Sequence, residues 1–232
     1  MTSKRLGPPI SGVLPILFAP TVGDVTFSCP WCSTHLSLPE KDFMAFSEKQ
    51  KIAFLINLYN ATTLRLVIDH YPIKSIKDVG TWLNGPFDQK LVRLMGRSFS
   101  LGDLEHAILR KNHNEPRMHF ALVCASLGCP SLRTEPYVAE KLDNQFDDQA
   151  RKFLASSSRN AVDVKTRTLY LSKIFKWYEK DFTRKGGSVI SLILPYLSDD
   201  VAGEVKKGGF KIVYTEYDWS LNDLNATPKR KT

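Results

Sequence analysis

The chain has 232 residues, 43% apolar and 24% charged, values that favour a real core over disorder and leave room for one large domain rather than two. Its net charge of +8 would suit nucleic acid, anionic lipid or an acidic substrate. The excess is scattered: Lys229, Arg230 and Lys231 lie in a polar tail, while Arg184–Lys185 and Lys206–Lys207 sit beside glycines. No stretch lines basic residues along one helix face with aromatics between them, which argues against a nucleic-acid reader.

Four cysteines, Cys29, Cys32, Cys124 and Cys129, are too few for a disulfide scaffold. No run reaches the roughly 18 uninterrupted apolar residues of a membrane span, so none is expected. Lys4–Arg5 followed by Ile10–Ala19 resembles a weak signal-peptide core, but Pro15 interrupts it. The cytoplasm is the expected location, with a secreted or periplasmic protein as the alternative.

In chain order, residues 1–46 read as an irregular arm punctuated by Pro8, Pro9, Pro15, Pro20, Pro30 and Pro39. Ser47-x-x-Gln50 has the form of a capping box and opens the run 51–71, apolar almost all round as a buried helix is, with Pro72 ending it. A hairpin is expected over Lys90–Leu101 about a Gly96–Arg97 turn. Ser100-x-x-Asp103 then starts a helix with the stripe Leu101, Leu104, Ala107 and Ile108. Arg117–Cys124 reads as a central covered strand, and 126–133 as the loop after it. Residues 135–155 carry a helical stripe of Val138, Leu142, Phe146, Ala150, Phe153 and Leu154. A second hairpin over 161–174, a short helix over 188–197 cut by Pro195, and a last strand over Lys211–Trp219 complete the reading. Helices and hairpins mix without a βαβ rhythm. The expected fold is α+β: one globular domain with a buried central helix packed on a small, mostly antiparallel sheet and helices around it.

Six separated blocks follow a known pattern. They are Ala53–Ala61 (AFLINLYNA), Leu104–Arg110 (LEHAILR), Pro116–Cys124 (PRMHFALVC), Ser126–Arg133 with Tyr137, Leu171–Tyr178 (LSKIFKWY) and Tyr217–Asn222 (YDWSLN). Together they resemble the DUF547 family, in its bacterial form at the C-terminal end. The resemblance covers about 47–224 and leaves out the arm 1–46 and a basic tail 225–232. It implies a coherent fold and supplies no chemistry, since DUF547 is a domain of unknown function. Plant relatives carry Ser-Asp-Pro where this chain has Gly128-Cys129-Pro130, so chemistry at Cys129 is not implied for the whole family.

The residues themselves suggest a cysteine–histidine site. A thiolate nucleophile needs a basic partner and a group to orient that partner. Cys124, Cys129, His106 and His119 lie in one short stretch, with Glu105 and Asp103 nearby. Helical spacing turns His106 away from the apolar stripe. Strand alternation would put His119 and Cys124 on opposite faces, so His106 is the preferred base for Cys124 or Cys129. Asn57 and Asn60, on an otherwise apolar helix, either tie down loop backbone or serve the site, as an orienting or oxyanion group or as a substrate contact. Arg117 and Arg133 are either clamps to carboxylates such as Glu135 or holders of a substrate carboxylate or phosphate.

Two other constellations are weaker. His119-x4-Cys124-x4-Cys129 offers zinc-type ligands, with His106 as a fourth, but in no standard zinc spacing. Neither a metal nor a cofactor is therefore expected. Cys29-Pro30-Trp31-Cys32 has the form of a redox pair, yet Pro39 leaves too little room for the helix such motifs need. The most concrete function is a hydrolase or acyl transferase acting on amide or thioester bonds of a peptide or small molecule. The alternative is a non-catalytic binding or scaffold domain whose cysteines and histidines are structural.

Overall fold

The computed structural model describes residues 38–184 and 186–223. Its first organiser is α2 (Glu48–His70), which starts where the capping box closes. The Ser47 amide donates to Gln50 Oε1 at 2.9 Å, and the Gln50 amide donates back to Ser47 Oγ at 3.3 Å. By length and composition α2 could cross a bilayer. In this fold Ile52, Leu55, Ile56, Tyr59 and Leu66 are instead buried in a first core, which Phe43 of the short helix α1 (Glu40–Ala45) and Leu38 just before it join from upstream.

The hairpin β1 (Val92–Leu94) and β2 (Arg97–Phe99) closes on Met95–Gly96, one residue earlier than expected. Both turn residues have positive φ, 52° and 71°, the geometry that matches the strands' twist. The next helical segment opens with Ser100 and Asp103 capping each other. It is π-helical over Asp103–Leu109 before a last turn, α3 (Arg110–Asn112). In this wider coil the Arg110 amide reaches back five residues to the Glu105 carbonyl.

Arg117–Cys124 is not a strand. Pro116–Phe120 is a 3-10 helix, with Pro116 at its first position and the Glu115 carboxylate accepting from the Arg117 amide. A short, fully buried apolar run has no exposed face, so its period does not separate strand from helix. The segment runs between two cores: Met118, Ala121 and Leu122 pack into the first, and Phe120 into the second.

The second core gathers Phe153 from α4 (Leu142–Leu154), Leu169 and Leu171 from β4 (Thr168–Ser172), Phe175 from α5 (Lys173–Trp177), and Phe182 from α6 (Glu179–Phe182). β4 pairs antiparallel with β3 (Ala161–Asp163) and parallel with β5 (Lys211–Thr215). The parallel pairing is reached by a crossover through α5, α6, α7 (Val189–Ile193) and α8 (Asp199–Lys206). The fold is α+β, as expected. Among the described residues, two of the three strand pairings are antiparallel and the third, β4 with β5, is parallel. Val92 and Leu94 of the hairpin share the core of α2, while the buried face of the three-stranded sheet belongs to the second core.

Candidate functional site

The site begins with Asn60 on α2. Its amide donates to the Ala121 carbonyl and its oxygen accepts from the Val123 amide, both at 3.0 Å. This clasp fixes the backbone that enters Cys124. Ala125 follows in the left-handed region, at φ 57°. The chain then zips onto a C-terminal segment. Leu127 N–H donates to Ser220, Gly128 N–H to Asp218, and Asn222 N–H to Ala125, each at 2.8 Å, while Ser126 bridges Leu221.

Gly128 is required by this zipper. A Cβ there would lie 3.0 and 3.1 Å from the Asp218 backbone and 3.1 Å from the Tyr217 ring. Gly128→Ala is expected to lower stability by about 2 kcal/mol, because the crowding atoms are largely backbone and cannot rotate away. Thermal melts of the two proteins check this.

The zipper delivers the Tyr217 hydroxyl to the Cys124 sulfur at 3.0 Å. Ser126 Oγ lies 3.1 Å from the same sulfur and also donates to the Tyr217 oxygen at 3.1 Å. Cys129 completes the group: its sulfur accepts the Cys124 amide at 2.8 Å and faces the Leu122 carbonyl at 3.7 Å. Cys124 is half-buried, whereas Cys129 is 4% exposed. The neighbouring Cys129 thiol, the Ser126 and Tyr217 hydroxyls and the Ser126 backbone pull the Cys124 thiol down to about 6, against the effect of burial. Burial and the neighbouring Cys124 push the Cys129 thiol up. Burial likewise raises Tyr217, so its hydroxyl stays protonated and able to donate. The Tyr217 ring packs between Trp177 and Trp219, with centroids 4.8 and 4.7 Å away, and Trp177 is 45% exposed. Lys77 Nζ sits 3.8 Å over the Trp219 ring.

The histidines lie elsewhere. His119 Nε2 pairs with Asp181 Oδ2 at 2.9 Å, its ring stacks on Tyr178 at 3.9 Å, and Phe182 meets it edge-on. Burial lowers its pKa, which favours the neutral ring. Asp181 also accepts from Arg110 at 2.6 Å and Arg184 at 3.1 Å. Burial opposes its charge, but the hydrogen bonds from His119 and Arg110 hold the carboxyl well below the usual range. His106 is exposed, as helical spacing suggested, and its Nδ1 lies 3.0 Å from Arg110 Nη1. Among the described residues, neither imidazole hydrogen-bonds a cysteine sulfur. The expected alternation between His119 and Cys124 does not apply, because that stretch is not extended.

Glu105 is buried beneath the site. It accepts from the Tyr59 hydroxyl at 3.3 Å, and its charge acts on Tyr178 as well. Burial first, then the charge on Glu105 and on Cys124, raises both tyrosines. Glu105, Tyr59, Tyr178 and Cys124 thus form one electrostatic unit, with His119–Asp181 stacked on its Tyr178 edge.

The remaining candidates hold the fold. Asn57 exchanges two hydrogen bonds with the Tyr137 backbone, at 2.8 and 2.9 Å. Arg117 pairs with Glu115, Asp143 and Asp147 at 2.6 to 2.8 Å. Arg133 pairs with Asp148 and with Glu135. The His119, Cys124, Cys129 and His106 set does not converge, and no group of three metal-binding side chains occurs among the described residues. Cys29 and Cys32 lie outside the described residues.

Ser126, Tyr217, Tyr178 and Asp181 were not picked out as site residues. Three of them stood in blocks of the family resemblance, Ser126 in Ser126–Arg133, Tyr178 in Leu171–Tyr178 and Tyr217 in Tyr217–Asn222. Asp181 carried no signal.

Residues 43–154 match the family model described as Protein of unknown function, DUF547. No curated protein and no solved structure matches the chain. The matched segment contains Asn60, Glu105, His106, His119, Cys124, Ser126 and Cys129, and it ends before Tyr178, Asp181 and Tyr217. The chain therefore carries a DUF547 domain of unknown function over residues 43–154.

Proposed function

We propose that the domain is a thiol enzyme that takes up an acyl group on Cys124. The observation that carries this reading is the half-buried Cys124 sulfur held against two hydroxyls, Tyr217 at 3.0 Å and Ser126 at 3.1 Å. A thiol that is already ionised near neutral pH needs no adjacent imidazole to become a nucleophile. The histidine of the expected cysteine–histidine pair is therefore dispensable for the attack itself.

The missing imidazole bears on the substrate. Attack forms a bond from Cys124 Sγ to the carbonyl carbon, and collapse breaks the substrate's bond to its leaving group. A departing amine must be protonated as it leaves, and no imidazole stands at the sulfur to do so. A departing thiolate carries the electron pair away unprotonated. A thioester is therefore the better substrate class, and an acyl transferase or thioester hydrolase the better activity. The exposed Trp177 ring, next to Tyr217, offers an apolar wall for the acyl group.

A synthetic acyl thioester tests this. After incubation and acid quench, the tryptic peptide Met118–Arg133, which holds both cysteines, should carry one acyl group on Cys124. Cys124→Ser should carry none. An acyl adduct that persists in Cys124→Ser, or none in the native protein, overturns the reading. The second reading, a binding or scaffold domain, draws on the engagement of Asn57, Asn60, Arg117 and Arg133 within the fold. It leads if Cys124 proves inert.

A further inference from the structure

The proposed acyl chemistry leaves Cys129 without a role, yet its placement is specific. It is buried, free, and seated against the backbone amide of Cys124 at 2.8 Å, three covalent bonds from the Cys124 sulfur. A compact loop brings it there, with the Cys129 amide bonded to the Ser126 carbonyl at 3.1 Å and Gly128 pinned to Asp218. The two thiols are unequally placed. Cys124 is the half-buried one, so a small solute reaches it first; Cys129 lies behind it.

We infer that Cys124 and Cys129 form an oxidative modification site for hydroperoxides, in which Cys124 is oxidised first and Cys129 closes a disulfide onto it. The inference rests on the proposed reading of Cys124 as a half-buried nucleophile. In the first step the Cys124 thiolate attacks a peroxide oxygen. A sulfur–oxygen bond forms, the oxygen–oxygen bond breaks, and the alkoxide or hydroxide leaves with the electron pair and takes a proton from water. The Cys124 sulfur is now a sulfenic acid, two electrons more oxidised. In the second step the Cys129 sulfur attacks that sulfur, its proton leaves with the displaced hydroxide as water, and the disulfide forms. In total, two thiols and one hydroperoxide give one disulfide, one alcohol or water, and one further water. The disulfide removes the nucleophile from acyl transfer and protects it from irreversible oxidation, and an external thiol restores it.

Both cysteines lie on one tryptic peptide, Met118–Arg133, so the product can be read directly. The full chain is treated with one equivalent of hydrogen peroxide, alkylated with iodoacetamide under denaturing conditions and digested. The peptide should lose two hydrogens and take up no alkyl group, and dithiothreitol should restore double alkylation. In Cys129→Ser the second step is blocked, so dimedone should label Cys124. If native Cys124 alkylates readily but peroxide gives only sulfinic acid or a bond to Cys29 or Cys32, the inference is overturned and the thiol-enzyme reading stands. If Cys124 neither alkylates nor oxidises in the folded protein, both fall together.

Discussion

Tyr217→Phe, combined with Ser126→Ala, moves the ionisation of Cys124 from about 6 towards the ordinary thiol value near 8.5. Each substitution deletes one hydroxyl at the sulfur, and Tyr217→Phe keeps the ring between Trp177 and Trp219, so the fold is little disturbed. The Cys129 thiol, the strongest of the groups that hold this sulfur down, stays in place, so the return is partial. The thiolate fraction at pH 7 falls, and the alkylation rate at that pH falls less, because a more basic thiolate is also more nucleophilic. The decisive readout is therefore the inflection of the pH–rate curve, which moves up by about one unit. An unmoved inflection would mean that the hydroxyls do not set the charge on this sulfur.

Asp181→Asn is expected to have the largest effect on stability. Three donors converge on this one carboxylate: His119 Nε2, Arg110 Nε and Arg184 Nη2. The neutral amide takes away the carboxylate charge that both guanidinium groups contact, one of them stacked over Tyr178 at 4.8 Å. The cost should be about 3 kcal/mol, as for other ion pairs broken from one side in a largely buried setting. For a chain of this size that is a fall in Tm of about 10 °C.

The pH dependence follows from the directions of the two shifts. The folded-state pKa of Asp181 is depressed, so its contribution is present above the unfolded value near 3.9 and is lost as pH falls through the lower folded value. That of His119 is also depressed, by burial. Between the two His119 values the unfolded chain binds the extra proton, so its contribution is full above about 6.5 and falls away below that. The native protein should lose stability in two acid phases. Asp181→Asn should show a smaller loss in the lower phase, to which Asp103, Asp143 and Asp148 also contribute, when melts at pH 7, 5 and 3 are compared.

What could be read in the sequence follows from the range of the interactions. Ser47 and Gln50, or Ser100 and Asp103, cap a helix within three residues, so their types at that spacing suffice. The period of α4 survives because one face meets solvent; Leu142, Phe146, Ala150 and Phe153 are buried as its stripe requires. Asn57 and Asn60 stood out as amides on an apolar helix, and both bond loop backbone, as buried amides must. The stretch 118–124 gave no such signal, because a run covered by two cores is apolar on every side but for His119.

The site was legible only in its cysteine half. Cys124 and Cys129 are five residues apart, but Tyr217 lies 93 residues from Cys124 and Asp181 lies 62 from His119. Those partners are supplied by the crossover after β4 and by the return of the chain onto the 125–128 loop, which no local pattern encodes. Pairing histidine with cysteine by proximity in sequence therefore chose the wrong neighbour for the sulfur. Tyr217 and Ser126 take the place expected of His106.

The measurement closest to the central claim is the pH dependence of iodoacetamide alkylation of the native chain, followed on the Met118–Arg133 peptide. The account predicts that Cys124 reacts with an inflection near pH 6 while Cys129 stays unmodified until the protein unfolds. An inflection in the ordinary thiol range, or a Cys124 as inert as Cys129, would contradict it.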